Sequence, residues 1–496
     1  MSIKTSCLGL PNKILSVGLL VTVASLPFSP FGTSLGVGLM GLSFIVALAT
    51  RTTVKPSNKI LPGALVAGFI WATFSLLWSD DQQAGIDSLT IKLPLFAAAL
   101  SLFYVQWNKS LLVATGKAFI TSTFIAALVG ILWGNFIDQG NFSPFISHIR
   151  MGLMLALGVG ILLLRKKWVL SISYCVLGLL SVWHTQSITG LGMIAFAIFF
   201  AGITSAFKRY RTTTIVGCIA FSVLGLAGVF HLVRPTEFDG ELLEDKTPWG
   251  GEYKHKTERH LEENGNKVWV YVAEDEMRSE WNLRSEKKYD STDEKGHSVR
   301  TTLIRYLTSL GLKKNGEVVK AMSEEDIKNV ESGFTSIRQV THSGLNLRLD
   351  DLRFELGNYL DGGDPNGNSV TMRYEAFKTG AYIMKRKGIV SILTGVGEGD
   401  LYSEMKIAYA KTTSRLKEKF WKKPHNQYLS LLIEVGIVGL MIWVITLYGS
   451  WIVGGDMGRL AWWIIALSCL AEDTLETQAG VTFAALALTV FHKWKS

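Results

Sequence analysis

The chain has 496 residues, 48% of them hydrophobic, with 15 Trp and a mean hydropathy of +0.27. That composition is too apolar for an ordinary soluble protein of this size. The net charge of +9 is modest, and basic loops between apolar segments account for much of it, so it does not indicate a nucleic-acid partner.

Apolar windows along the chain predict a polytopic, all-α membrane protein. A helix that crosses a hydrocarbon core of about 30 Å needs about 20 mainly apolar residues, and this rule predicts about twelve transmembrane helices. The first follows Lys4 and Lys13, and with so many spans behind it we expect an uncleaved helix and not a signal peptide. The predicted spans lie near residues 13–29, 33–50, 60–78, 93–107, 113–136, 149–164, 168–184, 189–207, 213–233, 427–452, 457–471 and 477–492.

The charges of the loops predict how the chain is oriented. Lys and Arg recur in alternate loops, for example 51–59, 165–167 and 208–211, whereas the opposite loops carry acidic residues such as Asp80 and Asp81. Basic loops stay in the cytoplasm, so we expect both termini there and residues from about 234 to 425 outside.

A polar segment separates the ninth predicted helix from the tenth. Residues 234–372 are rich in Asp, Glu, Lys and Gly, and their mixed pattern predicts a large folded α+β insertion. Within it, "KVWVYVAED" (267–275) alternates as a strand does, and "SEEDIKNVESGF" (323–334) starts like a capped helix, with Ser323 followed by Asp326. We therefore divide the chain into helices 1–9 (1–233), an exported segment (234–426) and helices 10–12 (427–496).

Two shorter motifs follow the insertion. Residues 369–387 have helical spacing, and this helix either lies on the membrane surface or packs on its own domain. One face of it would carry Tyr374, Phe377, Ala381 and Met384. The stretch "TGVGEGD" (394–400) matches a phosphate-binding glycine loop only weakly, because no Lys-Ser/Thr pair completes it, and we interpret it as a backbone turn.

Ionisable residues at the mouths of the predicted spans form the candidate site, because charge at membrane depth is costly and usually has a task. A neutral imidazole can take a proton from a hydroxyl, while guanidinium and ammonium groups bind phosphate oxygens. Lysine snorkelling, interfacial anchoring and helix capping are the structural alternatives. The candidates are Lys92, His148, Arg150, Arg373, Arg386, His425, Asn426, Glu472, Asp473 and Glu476.

The exported segment carries no metal signature. It has no Asp-x-Asp pair and no clustered ligand residues, so we predict neither a metal nor a cofactor. The cysteines lie in or beside predicted spans, at Cys7, Cys175, Cys218 and Cys469. Cations and one base in this setting suit the transfer of a group from a lipid-linked diphosphate to an acceptor hydroxyl.

An ordered set of motifs resembles the O-antigen ligase and O-antigen polymerase superfamily. The set is "RYEAFKTGAYIM", "ILTGVGEGD" and "HNQYLSLLIEVGIVGL", which begin at Arg373, Ile392 and His425. The stretches "EDTLETQAGVTFAALAL" (472–488) and "TTLIRYLTSLGLKKNG" (301–316) are similar to a ligase-like subgroup with an enlarged periplasmic loop. The resemblance covers most of the chain.

This resemblance implies a function. It implies an inverting, metal-independent glycosyltransferase in a bacterial inner (cytoplasmic) membrane, with its active site facing the periplasm. The implied partners are an undecaprenyl-diphosphate-linked glycan donor, a lipid A-core acceptor and membrane lipids. The predicted catalytic residues are His425 and Arg373, and the predicted substrate-binding residues are Lys92, Arg150, His148, Arg386 and Asn426.

One motif departs from the pattern, and several functions stay open. "TQSITG" (185–190) falls where many members have Ser-Arg-Thr-Gly, so Ile188 replaces an arginine. Either another cation, such as Arg150 or Arg386, binds phosphate in its place, or the donor is held differently. The alternatives are an O-antigen polymerase, a protein O-oligosaccharyltransferase and a transporter or flippase of lipid-linked glycans. Against a transporter, we identify no internal repeat and no broken charged span near the midplane.

Overall fold

The computed structural model describes residues 9–207, 243–341 and 345–491. The ninth predicted span (213–233), the basic loop 208–211 and the residues Cys7 and Cys218 lie outside the described residues. The chain forms two compact units. In the described residues, the first comprises 9–207, 373–414 and 421–491, and the second comprises 243–341, 345–372 and 415–420. The sequence-based division assigned 373–414 to the exported segment.

The first part of the first unit is an α-helical bundle. Its helices are α1 (Leu10–Ser25), α2 (Pro30–Ala49), α3 (Ile60–Ser75), α4 (Gln82–Tyr104), α5 (Lys109–Phe136), α6 (His148–Leu164), α7 (Trp168–His184) and α8 (Ile188–Phe207). The predicted start of the fourth span at 93 is wrong, because α4 begins at Gln82, where the Asp81 side chain accepts the N–H of Ala84 and caps the helix. Lys92 therefore lies inside α4 and not at its end.

The bundle has the composition and packing of a membrane protein. Among the described residues, six helices are long and apolar enough to cross a membrane, and four shorter apolar helices accompany them. Small residues allow close crossings. A Cβ on Gly152 of α6 would lie 2.7 Å from the Cα of Gly190 in α8, so these helices touch through their backbones. The structure thus supports a polytopic α-helical membrane protein, and the total of about twelve spans stays a prediction.

The second unit is mainly helical and has its own core. Its elements are β1 (Glu262–Glu263), β2 (Asn266–Lys267), α9 (Glu274–Arg284), α10 (Val299–Ser309), α11 (Gly316–Ala321), α12 (Glu324–Glu331), α13 (Arg338–Thr341) and α14 (Leu345–Leu360). Trp281, Tyr289, Leu303 and Tyr306 are fully buried at its centre. The predicted capping box is present, since the Ser323 side chain accepts the N–H of Asp326 at the start of α12.

The strand predicted at 267–275 is wrong. In the described residues, the only sheet consists of β1 and β2, which pair antiparallel over two residues each. Beyond Lys267 the chain turns, and Tyr271 adopts a left-handed φ of 59° that no regular strand accommodates. The alternation has a different cause: Val268, Val270 and Val272 are all buried in this unit. Of the three, only Val272 forms β-bridges, which are isolated bridges to Lys254 and Lys314 that do not extend into a strand.

The last quarter of the chain, from Arg373 on, completes the first unit, apart from residues 415–420. Its helices are α15 (Ser369–Arg386), α16 (Ile389–Thr394), α17 (Leu401–Lys411), α18 (Gln427–Glu434), α19 (Gly436–Val453), α20 (Asp456–Ala471) and α21 (Gln478–Thr489). On α15 the packed face is Ala376, Thr379 and Ile383, whereas Tyr374 and Phe377 of the predicted apolar face are exposed.

The predicted continuous span 427–452 is wrong, because the helix breaks at Val435, between α18 and α19. Gly436 adopts a φ of 70°. The Val435 carbonyl accepts both the indole N–H of Trp71, at 2.9 Å, and the backbone N–H of Gly439, at 3.2 Å. The "TGVGEGD" segment forms the predicted turn and fills the break. The N–H of Val396 donates to Ile433 O at 2.9 Å, and that of Gly397 donates to Glu434 O at 3.0 Å. A broken helix is tolerated in a bundle when neighbouring groups satisfy its backbone in this way.

We expect Lys314→Met to stabilise the second unit. Burial lowers the pKa of Lys314 to about 8, and the one bond described for its Nζ goes to the Lys267 carbonyl at 3.3 Å. In the unfolded chain the pKa of this lysine is higher, so folding makes the charged form less favourable. The resulting loss of stability is absent at high pH, grows as the pH falls, and is complete below about pH 8. At pH 7 the substitution should gain about 1–3 kcal/mol.

Hydrogen exchange of the α10 amides in the full-length protein measures this effect. Exchange at pH 7 should be slower in Lys314→Met than in the wild type. The matched control is Lys313→Met, which removes an exposed amine bonded to Glu244 at 2.6 Å and should not slow exchange. Equal or faster exchange in Lys314→Met would contradict the prediction.

Candidate functional site

The acidic turn, residues 472–476 between α20 and α21, holds the candidate site together. Two side chains of α18 fix it. The Gln427 amide oxygen accepts the N–H of Leu475 at 2.6 Å, and the Ser430 hydroxyl donates to Asp473 Oδ1 at 2.6 Å. These two hydrogen bonds join the turn to α18, and the predicted His-Asn pair lies at the start of that helix.

His425 is the residue just before the cap of α18. It adopts a left-handed φ of 53°, which is strained for a residue with a side chain. Its backbone N–H donates to Asp473 Oδ2 at 2.9 Å. Asn426 is the cap itself, accepting the N–H of Leu429 at 2.9 Å and donating to Leu470 O at 3.0 Å. Since Asn426 makes the capping bond, the imidazole of His425 is not needed for it.

Glu472 brings the two predicted catalytic residues together. Its Oε1 accepts a hydrogen bond from the Arg373 guanidinium of α15. Its Oε2 lies 3.8 Å from His425 Nδ1, an ion-pair separation and not a hydrogen bond. Burial would raise the pKa of Glu472, but the neighbouring His425 and Arg373 outweigh it, and the pKa is lowered. The carboxylate is therefore ionised at neutral pH.

Arg150 and His148, at the start of α6, face the same turn. Glu472 and Asp473 both attract Arg150 electrostatically, and Glu472 and Arg373 both interact electrostatically with His148. In the described part of the chain, Arg150 forms no ion pair within 4.0 Å, and its Nε is buried without a hydrogen-bond partner. A guanidinium placed this way has donors to spare for an anion.

A second, buried cluster lies on the other side of the acidic turn. The Lys92 ammonium donates to Glu398 Oε1, donates to Glu434 Oε2 at 3.1 Å and lies 3.8 Å from Glu476 Oε1. Lys423 Nζ donates to the second oxygen of Glu476 at 2.6 Å. Burial opposes ionisation of both Lys423 and Glu476, yet the attraction of their partners raises the pKa of Lys423 and lowers that of Glu476. Two ammonium groups thus face three carboxylates.

The structure gathers some of the predicted site residues and separates others. Arg373 and His425 lie beside Glu472, and Arg150 and His148 interact with it electrostatically. Lys92 points instead at the carboxylates of the buried cluster. Arg386 lies near the far end of α15, 13 residues from Arg373 and so about 20 Å along the helix, with its guanidinium 5.1 Å from the Tyr382 ring centre.

Sequence reasoning missed Glu398 and Glu434. Glu398 belongs to the stretch interpreted only as a turn, and Glu434 lies inside an apolar run. The available signal was the energetic cost of burying a charge: a carboxylate in an apolar segment needs a cation, and Lys92 is a cation in another apolar segment. In residues 9–207, 243–341 and 345–491, no group of three or more His, Cys, Asp or Glu could hold a metal ion.

These features define a class: a polytopic α-helical membrane protein with a histidine and arginines collected around an acidic turn. Residues 317–444 match the family model described as O-antigen ligase. The match includes Arg373, the glycine turn, His425 and the helix break. It confirms the predicted resemblance to the O-antigen ligase superfamily over residues 317–444. No curated protein matches the chain.

We expect Lys92→Met to destabilise the first unit strongly. The substitution leaves Glu398 and Glu434 buried without their cation, and breaking a buried ion pair from one side costs about 3–5 kcal/mol. Thermal unfolding of the purified protein, followed by size-exclusion chromatography after heating, measures the loss. Adding Glu398→Gln to Lys92→Met should recover part of it.

The matched control for this experiment is Lys109→Met, which removes an exposed lysine from the start of α5 and should leave the unfolding temperature unchanged. If Lys92→Met were as stable as this control, the buried cluster would not stabilise the bundle.

Proposed function

We propose that the protein is an inverting, metal-independent glycosyltransferase of the bacterial inner membrane. It moves O-antigen glycan from undecaprenyl diphosphate to a hydroxyl group of the lipid A-core on the periplasmic face. One observation carries the proposal: the Arg373 guanidinium and the His425 imidazole lie beside a single carboxylate, Glu472, which also attracts Arg150 electrostatically. The family match supports a membrane enzyme of the O-antigen ligase type, whose general substrates are lipid-linked glycans and lipid acceptors.

In the proposed reaction, His425 takes the proton of the acceptor hydroxyl as the hydroxyl oxygen attacks the anomeric carbon. The bond between that carbon and the diphosphate oxygen breaks, and undecaprenyl diphosphate leaves with the electron pair. Arg373 and Arg150 stabilise the charge that develops on the leaving diphosphate, because guanidinium groups donate two parallel hydrogen bonds to phosphate oxygens. Attack opposite the leaving group inverts the configuration of the transferred sugar.

His425→Ala tests the assignment of the base. Loss of a general base should lower the transfer rate by about 10²–10⁴-fold, with expression and the size-exclusion profile unchanged. The assay is transfer of labelled glycan from undecaprenyl diphosphate to lipid A-core in proteoliposomes. His297→Ala, which removes an exposed histidine of the second unit, serves as the control. Wild-type rates in His425→Ala would leave this histidine a structural role.

Arg150 is our candidate for the arginine missing at Ile188. Gly152 and Gly190 touch where α6 and α8 cross, and both helices begin at this end of the bundle. Arg150 and Ile188 each precede their glycine by two residues, so they lie at the same level on neighbouring helices. We propose that a guanidinium at either position binds the same phosphate group.

We expect Arg150→Ala to weaken binding of undecaprenyl diphosphate by roughly 1.5–3 kcal/mol, the contribution of a charge-assisted hydrogen bond. Ile188→Arg in the same background should restore much of the affinity. Binding of undecaprenyl diphosphate to the purified variants measures both. Failure of Ile188→Arg to recover affinity in a folded double variant would contradict the shared position.

The choice of acceptor separates the proposal from its nearest alternatives. An O-antigen polymerase would extend a second lipid-linked glycan, and a protein O-oligosaccharyltransferase would modify a protein hydroxyl, with the same donor in each case. Offering labelled donor to the reconstituted enzyme with each acceptor in turn decides among them.

A lipid-glycan flippase is the second candidate function. The break at Val435 and the buried charges around Lys92 favour it, because discontinuous helices and buried ionisable groups are common in transporters. Movement of a fluorescent lipid-linked glycan across proteoliposomes without an acceptor would identify a flippase.

A further inference from the structure

Each carboxylate oxygen of Glu472 faces a residue that the proposed reaction needs. Oε1 is bonded to Arg373, and Oε2 faces the imidazole of His425 at 3.8 Å. The Glu472 side chain is only 11% exposed, whereas the Arg373 side chain is 34% exposed. An anion that approaches from the open side therefore meets Arg373 first and finds its charge already neutralised by a carboxylate.

The two neighbouring carboxylates of the turn are held differently. Asp473 is fixed on both oxygens, by the Ser430 hydroxyl and by the backbone N–H of His425. In the described part of the chain, the one hydrogen bond of the Glu472 side chain goes to Arg373. Its other oxygen faces His425, and Arg150 attracts it only electrostatically. The Glu472 side chain can thus release Arg373 while the backbone of the turn, anchored through Asp473 and Gln427, stays in place.

We infer that Glu472 is a positioning residue that exchanges partners when the donor diphosphate binds. This inference rests on the proposed function. Without donor, Glu472 masks Arg373. When phosphate oxygens take the guanidinium, the carboxylate is repelled by the diphosphate and keeps His425 as its partner. There it orients the imidazole and stabilises the imidazolium that forms as the acceptor proton is taken.

The exchange has two opposite effects on the enzyme. Masking weakens donor binding, because the phosphate must break the bond between Arg373 and Glu472 before it can bind the guanidinium. Orientation of His425 accelerates the chemical step. A residue with a purely structural role would improve both quantities, so removal of its charge would impair both.

Glu472→Gln tests the inference, since it keeps the size of the side chain and removes its charge. We expect undecaprenyl diphosphate to bind several-fold more tightly to this variant, while kcat for glycan transfer falls at least about tenfold. Glu472→Asp, which keeps the charge on a shorter side chain, should bind the donor no more tightly than the wild type. Glu404→Gln, which removes a carboxylate paired with Lys387 at 2.7 Å elsewhere on the unit, is the matched control and should change neither quantity.

A double-variant cycle tests the dependence on Arg373. In an Arg373→Ala background, Glu472→Gln should no longer tighten donor binding, because there is no guanidinium left to unmask. Unchanged or weaker donor binding in Glu472→Gln alone, in a protein that elutes as the wild type does, would overturn the inference. Failure of the proposed function itself would appear separately, as a wild-type protein that transfers no glycan in the same assay.

Discussion

A buried charge needs a neighbour of opposite charge, and in this bundle the acidic turn at 472–476 supplies carboxylates to several of the buried cations. One end of the turn, Glu472, binds Arg373 and faces His425, and the other end, Glu476, binds Lys423 and faces Lys92. Isolated ions in a medium of low dielectric would be unstable, so the position of each cation depends on this short segment. The candidate catalytic cluster and the buried cluster are therefore parts of one electrostatic arrangement.

The backbone supports that arrangement at the helix break. Gly397 and Gly399 adopt positive φ values of 120° and 99°, which side chains disfavour, and this conformation brings Glu398 beside Lys92. The N–H of Gly399 also donates to Glu434 Oε1 at 3.0 Å. The glycine turn thus repairs the broken backbone between α18 and α19 and supplies one of the carboxylates that neutralise Lys92.

The sequence predicted the helical elements well, because long apolar windows decide membrane spans by themselves. It predicted the family resemblance that the match over residues 317–444 confirms. It also selected His425 and Arg373, which the structure places beside Glu472, and Arg150, which Glu472 attracts. Prediction from the sequence failed where the local structure depends on contacts with residues far away in the chain. The break at Val435 depends on hydrogen bonds from Val396 and Gly397 and from Trp71, and no local pattern in an apolar run reveals those partners.

Lys92 shows the same limit for the site. Its sequence context, a cation in an apolar span, fits a phosphate ligand and a buried counter-ion equally well. Only the arrival of Glu398 and Glu434 from distant segments distinguishes them. The strand predicted at 267–275 failed for a related reason: alternation reports which side chains are buried, and a turning segment in a small helical unit can bury alternate residues as a strand does.

The most direct test of the central claim is to map where the donor binds. A photoactivatable undecaprenyl diphosphate, labelled next to the diphosphate, can be crosslinked to the purified protein in nanodiscs and the modified peptides identified by mass spectrometry. The account predicts that the label lies on the start of α6 around Arg150, on α15 around Arg373 and on the acidic turn, and that unlabelled donor competes with it. Competed labelling confined to other helices would contradict the account.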